Sequence, residues 1–177
     1  MSNKIEKVLY DRAMIQERVI ELGKELDEKY QGEEVLIVSL LRGSFVFAAD
    51  LVREMKTKME IDFLTTSSYE NEVVSSGRVK ILHELRAKVE GRHVLIVDDI
   101  VDSGRTLKFV TDYIQEKKPA SVSSVVMLDK PSRREIDFNA DYVGFTIEDV
   151  FIVGYGLNYG PYHRNVPYIF TYEDEEK

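Results

Sequence analysis

The chain has 177 residues, of which 44% are hydrophobic and 32% charged, a balance that suits one globular domain with a sizeable core. It contains no cysteine, which excludes disulfides, thiolate metal sites and cysteine nucleophiles. The formal net charge is −8, whereas a general nucleic-acid binder is more often basic because phosphate contacts dominate its affinity, so no nucleic-acid partner is expected.

Asp11 is placed to cap a helix running to about residue 29, with Ile15, Val19, Leu22 and Leu26 at helical spacing on one apolar face. After Gly32, the run 35–41 is apolar except for Ser39 and reads as a buried strand. Arg42-Gly43-Ser44 reads as a turn, with Ser44 expected to cap a helix through about residue 55. Residues 59–67 read as a strand, 67–78 as a polar loop, and 79–83 as the strand that returns from it. Gly91 precedes a second buried strand, 94–97. The stretch 104–118 fits a helix, with Leu107, Val110 and Ile114 on one face and Pro119 past its end. Residues 122–128 read as a third buried strand, followed by short strands at 142–145, 150–153 and 168–172.

This alternation of buried strands and amphipathic helices predicts an α/β fold, with a parallel sheet covered on both faces. The N-terminal helix and the C-terminal segments are expected to form a small subdomain beside the sheet, and the acidic tail 173–177 to be a solvated end. No apolar stretch approaches the roughly 20 residues of a membrane helix, and no signal-peptide pattern opens the chain. A cytoplasmic protein with no membrane partner is expected.

The strongest chemical signal is Val94 to Thr106, VLIVDDIVDSGRT. A hydrophobic strand ends in Asp98-Asp99, Asp102 follows three positions later, and Ser103-Gly104-Arg105-Thr106 opens a helix. Ligand sites in open α/β sheets lie beyond the carboxyl ends of strands. The helix start offers N–H groups and a positive dipole end to a phosphate, and Gly104 lets the backbone approach. The carboxylates offer oxygen ligands for Mg²⁺ or partners for sugar hydroxyls. Three carboxylates at one strand end repel one another, so a routine surface turn has little reason to keep them.

The segment resembles the phosphoribosyl-pyrophosphate signature of the phosphoribosyltransferase family. The wider likeness is to the hypoxanthine-guanine branch and covers nearly the whole chain. Leu41-Arg42-Gly43 resembles the branch's pyrophosphate loop; Ser67-Ser68-Tyr69 with Ser75-Ser76-Gly77 resembles its mobile catalytic loop. Asp129-Lys130-Pro131 resembles its purine-contact segment, and residues 150–157 with Arg164 its base-stacking and C-terminal region.

That resemblance implies a type I phosphoribosyltransferase fold, a parallel sheet flanked by helices with a small hood subdomain, in one domain spanning 1–177. It implies transfer of phosphoribosyl from phosphoribosyl pyrophosphate to hypoxanthine or guanine, with Mg²⁺, by a homodimer or homotetramer. Asp102 matches the general base. Asp98 and Asp99 match the residues that engage the ribose hydroxyls and the metal, and Asp102, Ser103, Gly104, Arg105 and Thr106 match the 5′-phosphate loop. Leu41, Arg42, Gly43 and Arg164 match pyrophosphate contacts, with a cis Leu41–Arg42 peptide by analogy. Lys130 matches the donor to the 6-oxo group, Phe151 the stacking ring, and Ile152 a backbone contact to the base edge. Ser68 and Tyr69 match loop residues that touch the closed site. Asn158 stands where the family usually has Asp, a carboxylate associated with a second Mg²⁺.

Other readings are weaker. Gly154-Tyr155-Gly156 with Gly160 has the wrong spacing for a dinucleotide fingerprint, and no P-loop pattern occurs. His83, His93 and His163 are scattered and read as surface or core residues. A xanthine- or guanine-preferring enzyme and a nucleotide-sensing regulator on the same fold remain as alternative functions.

Overall fold

The computed structural model describes residues 4–67 and 79–174. A six-stranded sheet runs in the order β4-β3-β2-β5-β6-β7. Its strands are β2 (Glu34–Leu41), β3 (Lys58–Ser67), β4 (Lys80–His83), β5 (His93–Val101), β6 (Ser121–Asp129) and β7 (Tyr142–Thr146). All neighbours are parallel except β4, which returns antiparallel along β3. β1 (Lys4–Tyr10) and β8 (Ile169–Asp174) form a separate two-stranded antiparallel sheet.

The unbroken apolar runs of β2, β5 and β6 follow from burial on both faces. Val35 and Ile37 of β2 and Leu95 and Val97 of β5 turn to one side, against α1 (Arg12–Lys29) and α2 (Phe45–Glu54). The alternate residues Leu36, Val38, Val94 and Ile96 turn to the other side, against α3 (Arg105–Gln115). The faces are set by the two-residue period of a strand. Helix α1 contributes Ile15, Val19, Leu22 and Leu26 to the first core and packs on α2, so this helix is part of the main body, while β1 before it pairs with β8. No helix among the described residues is long and apolar enough to cross a membrane.

Asp11 caps α1 as expected, accepting the Met14 N–H at 2.9 Å. Ser44 precedes α2 but makes no capping bond. Its hydroxyl is buried and donates back to the Leu40 carbonyl at 2.5 Å, with Ser39 Oγ at 2.7 Å. The end of β2 supplies a nearer acceptor, so the side chain ties strand to turn instead of serving the helix. Helix α3 ends at Gln115, short of residue 118, because Lys118 turns to φ 55°. The run 150–153 does not become a strand; only Val153 bridges, to Phe170.

Candidate active site

Three chain segments meet beyond the carboxyl ends of β2 and β5. The first is Leu41-Arg42-Gly43, where the Leu41–Arg42 peptide is cis. Gly43 is required there by close approach, since a Cβ would overlap Asp99 Oδ2. The Gly43 carbonyl in turn lies against Gly156, whose φ of 101° and lack of a side chain allow the contact. The second segment is 98–107, and the third is the turn 154–164. Together they line a hollow of about 280 Å³.

Asp98 and Asp99 lie inside β5 near its end. Asp98 is 8% exposed and accepts the Asp99 N–H at 2.9 Å; Asp99 accepts the Ile100 N–H at 2.8 Å. Burial, then the neighbouring Asp99 charge, holds the Asp98 carboxyl well above the usual carboxylate range. Burial also raises Asp99, against opposing hydrogen bonds and the positive charge of Arg164. A buried carboxylate pair short of compensating cations favours any ligand that brings positive charge or hydrogen-bond donors.

Asp102 follows on the loop to α3, and its Oδ1 is buried without a hydrogen-bond partner. Gly104 stands at the helix start with φ 84° and has no side chain to cap α3, while Ser103 Oγ accepts the Arg105 N–H at 3.3 Å. Ser103, Gly104 and Thr106 line the hollow, which leaves the first turn of α3 facing it. Arg42 and Arg164 line the same hollow. Arg164 Nη1 donates to the Gly156 carbonyl at 2.6 Å, which anchors the side chain to the glycine turn.

Other expected residues lie outside this cavity. Arg105 starts α3, but its guanidinium pairs with Glu135 at 2.5 Å instead of lining the hollow. Lys130 is 7% exposed at the end of β6, where its N–H bonds to the Val101 carbonyl at 3.0 Å. Phe151 is 57% exposed, its carbonyl held by Thr171 Oγ1 at 2.6 Å and its ring met edge-on by Tyr159. Ile152 beside it is buried. Asn158 does line the hollow, with its amide nitrogen donating to the Gly160 carbonyl at 2.6 Å. Ser68 and Tyr69, with the rest of the expected loop to residue 78, lie outside the described residues.

Two residues not foreseen from the sequence join the site. Thr66 at the end of β3 lines the hollow. Arg134 lies beneath the 101–104 loop and bonds its backbone. In the sequence Arg134 is one of two adjacent arginines in a charged run, and nothing there separates the inward one from the outward one. A second hollow, about 340 Å³ between α1, α2 and residues 165–167, contains none of the expected site residues.

Comparison with known proteins agrees with this geometry. The model of the phosphoribosyl transferase domain matches residues 7–160. A hypoxanthine-guanine phosphoribosyltransferase of Bacillus subtilis is 47% identical over 169 residues, covering 96% of this chain and 94% of that protein. The bifunctional protein TilS/HprT of Listeria monocytogenes is 48% identical over 96% of this chain, and the chain spans only 26% of that protein's length. The solved structure of a hypoxanthine phosphoribosyltransferase from Staphylococcus aureus superposes with a TM-score of 0.90 at 42% identity, covering 94% of this chain and 91% of that one. With a family model spanning most of its length and relatives of this identity, the chain belongs to the phosphoribosyl transferase family.

Proposed function

We propose that the chain transfers the phosphoribosyl group of phosphoribosyl pyrophosphate to hypoxanthine, and also to guanine, releasing pyrophosphate and a purine nucleoside monophosphate. The observation that carries this reading is one hollow with two kinds of wall. Three aspartates of β5 and its loop line it beside the Gly104 start of α3, and two arginines line it with them.

The residues divide the work by charge. The Gly104 start of α3, with Ser103 and Thr106, suits the donor's 5′-phosphate. Arg42 and Arg164 suit its diphosphate, where negative charge grows as the bond from the anomeric carbon to oxygen breaks. A ring nitrogen of the base forms the new bond to that carbon and loses its proton to Asp102, whose unpartnered oxygen suits a general base. Phe151 offers an exposed ring face for stacking. Lys130 suits a 6-oxo acceptor; adenine presents an amino donor there and pairs badly.

Asp98 and Asp99 are the residues that would hold a divalent cation, because both carboxyls line the hollow together with Arg42 and Arg164, and a bound cation would favour their ionised forms against burial. Mg²⁺ is commonly held by one or two carboxylates together with substrate phosphates, which matches such a pair. When bound with the donor, the ion would neutralise charge on the leaving diphosphate.

Incubation with phosphoribosyl pyrophosphate and each of hypoxanthine, guanine, xanthine and adenine tests the reading. Nucleotide is expected from the first two with Mg²⁺ present, and none after chelation by EDTA. Absence of nucleotide from every base would sink it, and preference for xanthine would move the assignment to the neighbouring specificity.

A further inference from the structure

Arg134 lies just after β6, in a segment that passes beneath the loop carrying Asp102. Its guanidinium makes contacts in three directions. Nη1 donates to the carbonyls of Asp102 at 2.6 Å and Val101 at 3.4 Å. Nη2 pairs with Asp129 at 2.6 Å, and both side chains of that pair are 12% exposed. Nε and Nη2 also reach Asn139 Oδ1, at 3.3 and 3.2 Å. The next two residues continue the grip, since the N–H groups of Glu135 and Ile136 bond to the Ser103 carbonyl at 3.0 and 3.3 Å.

Two successive carbonyls, of Asp102 and Ser103, are therefore turned down onto the 134–136 segment, while that of Val101 is shared between the Lys130 N–H at 3.0 Å and Arg134. In a trans peptide the N–H points opposite to the C=O. The amides of Ser103 and Gly104 are thus directed away from that segment, and both residues line the hollow. Successive N–H groups aimed one way form a concave anion site. Gly104 also rests on the stem of Arg134, since a Cβ there would come within 3.0 Å of its Cδ.

We propose that Arg134 is a positioning residue. It holds the carbonyls of the 101–103 loop inward, so that the loop amides and Asp102 face the substrate. Its assignment to the phosphate of phosphoribosyl pyrophosphate rests on the function proposed above; the backbone bracing does not. Through Asp129 the same guanidinium ties this loop to the chain position before Lys130, so the two halves of the site share one anchor. A lysine could keep the charge opposite Asp129, but its single ammonium lacks the rigid fork that reaches Asp129 and two carbonyls together.

The test is Arg134→Lys, with Arg134→Gln as a second variant, read by hydrogen exchange and by kinetics. Exchange in peptides covering 101–107 is expected to quicken by about tenfold while the strands elsewhere keep their protection. The KM for phosphoribosyl pyrophosphate is expected to rise by about tenfold, with the KM for the base within about twofold of the parent. Unchanged exchange in 101–107 would overturn the proposal. Quickening spread evenly over the sheet, or failure of both variants to fold, would overturn it too, because Arg134 would then support the whole domain. If the parent chain forms no nucleotide, the proposed reaction fails, and the exchange comparison still decides the role of Arg134.

Discussion

Asp27 and Asp62 lie away from the hollow, whereas Asp98, Asp99 and Asp102 lie in its wall. Asp27, on α1, accepts the N–H groups of Lys56 and Thr57 at 2.9 Å and the Thr57 hydroxyl at 2.7 Å. Asp62, on β3, accepts those of Phe63, Arg86 and Ala87 at 2.7 to 2.8 Å. Burial alone would raise both carboxyls, yet the donated hydrogen bonds outweigh it and hold them below the usual range. Asp98 and Asp99 each accept one close backbone N–H and share a hydrogen bond with each other, and burial still raises both. The first pair spends its lone pairs on the fold. The second set is less fully compensated: Asp98 and Asp99 are raised, and Asp102 Oδ1 is buried without a partner, which leaves this strand end with acceptor capacity that a ligand can use.

The comparison breaks hardest at Asp102. If its unpartnered oxygen takes the base proton, Asp102→Asn should lower turnover by roughly 10²–10⁴-fold. The KM for phosphoribosyl pyrophosphate should stay near the parent value, because amide and carboxylate have the same shape. Turnover equal to the parent would place Asp102 with the structural aspartates.

A smaller and opposite pair of effects is expected in stability. Asp27→Ala removes acceptors that pin the end of α2 to α1 and should cost about 1–2 kcal/mol, or roughly 3–6 °C in Tm. The depressed carboxyl contributes above the ordinary carboxylate pKa, and the contribution is lost as pH falls through its folded value. The gap between parent and Asp27→Ala should therefore narrow in acid. For Asp98 the folded value is raised, so the parent is unpenalised below the ordinary value and loses stability as pH rises through the raised one. Unliganded Asp98→Asn should melt above the parent at neutral pH, by roughly 3 °C, and converge with it in acid. Thermal melts across pH check both, and parallel curves for the two variants would erase the distinction.

The sheet and the acidic cluster were legible because each leaves a local trace. Strands buried on both faces read as continuous apolar runs, α1 carries its cap and apolar spacing in sequence, and Asp98, Asp99 and Asp102 fall within five residues. Partners chosen only once the backbone is folded leave no such trace. Ser44 reads as a helix cap until the Leu40 carbonyl proves nearer, and 150–153 reads as a strand although only Val153 finds a partner. Arg133 and Arg134 are identical in type and adjacent in sequence. One pairs with Asp149 at the surface, and the other is buried against Asp129 and the site loop. The likeness to a known family supplied residue roles that spacing alone could not, and it could not foresee that the Arg105 guanidinium would pair with Glu135.

The smallest effect is expected at Asn158, which lines the same hollow. The family resemblance places Asp there, and this chain has an exposed amide whose nitrogen is already engaged by the Gly160 carbonyl. Its oxygen can coordinate a cation but carries no charge. Converting it to Asp adds a fourth carboxylate to the hollow's wall and strengthens attraction for Mg²⁺ held with the diphosphate. The position is exposed, so water and salt screen that attraction, and the gain should be only about threefold in the Mg²⁺ needed for half-maximal rate. The same change sets a carboxylate oxygen against the Gly160 carbonyl and removes a donated hydrogen bond, so the unliganded Asn158→Asp variant should melt slightly below the parent. A Mg²⁺ titration of both forms at saturating substrates, beside melts without metal, measures the two halves independently. Overlapping titrations with a lowered melt would assign Asn158 to the turn alone, as an amide chosen for Gly160 and not for the metal.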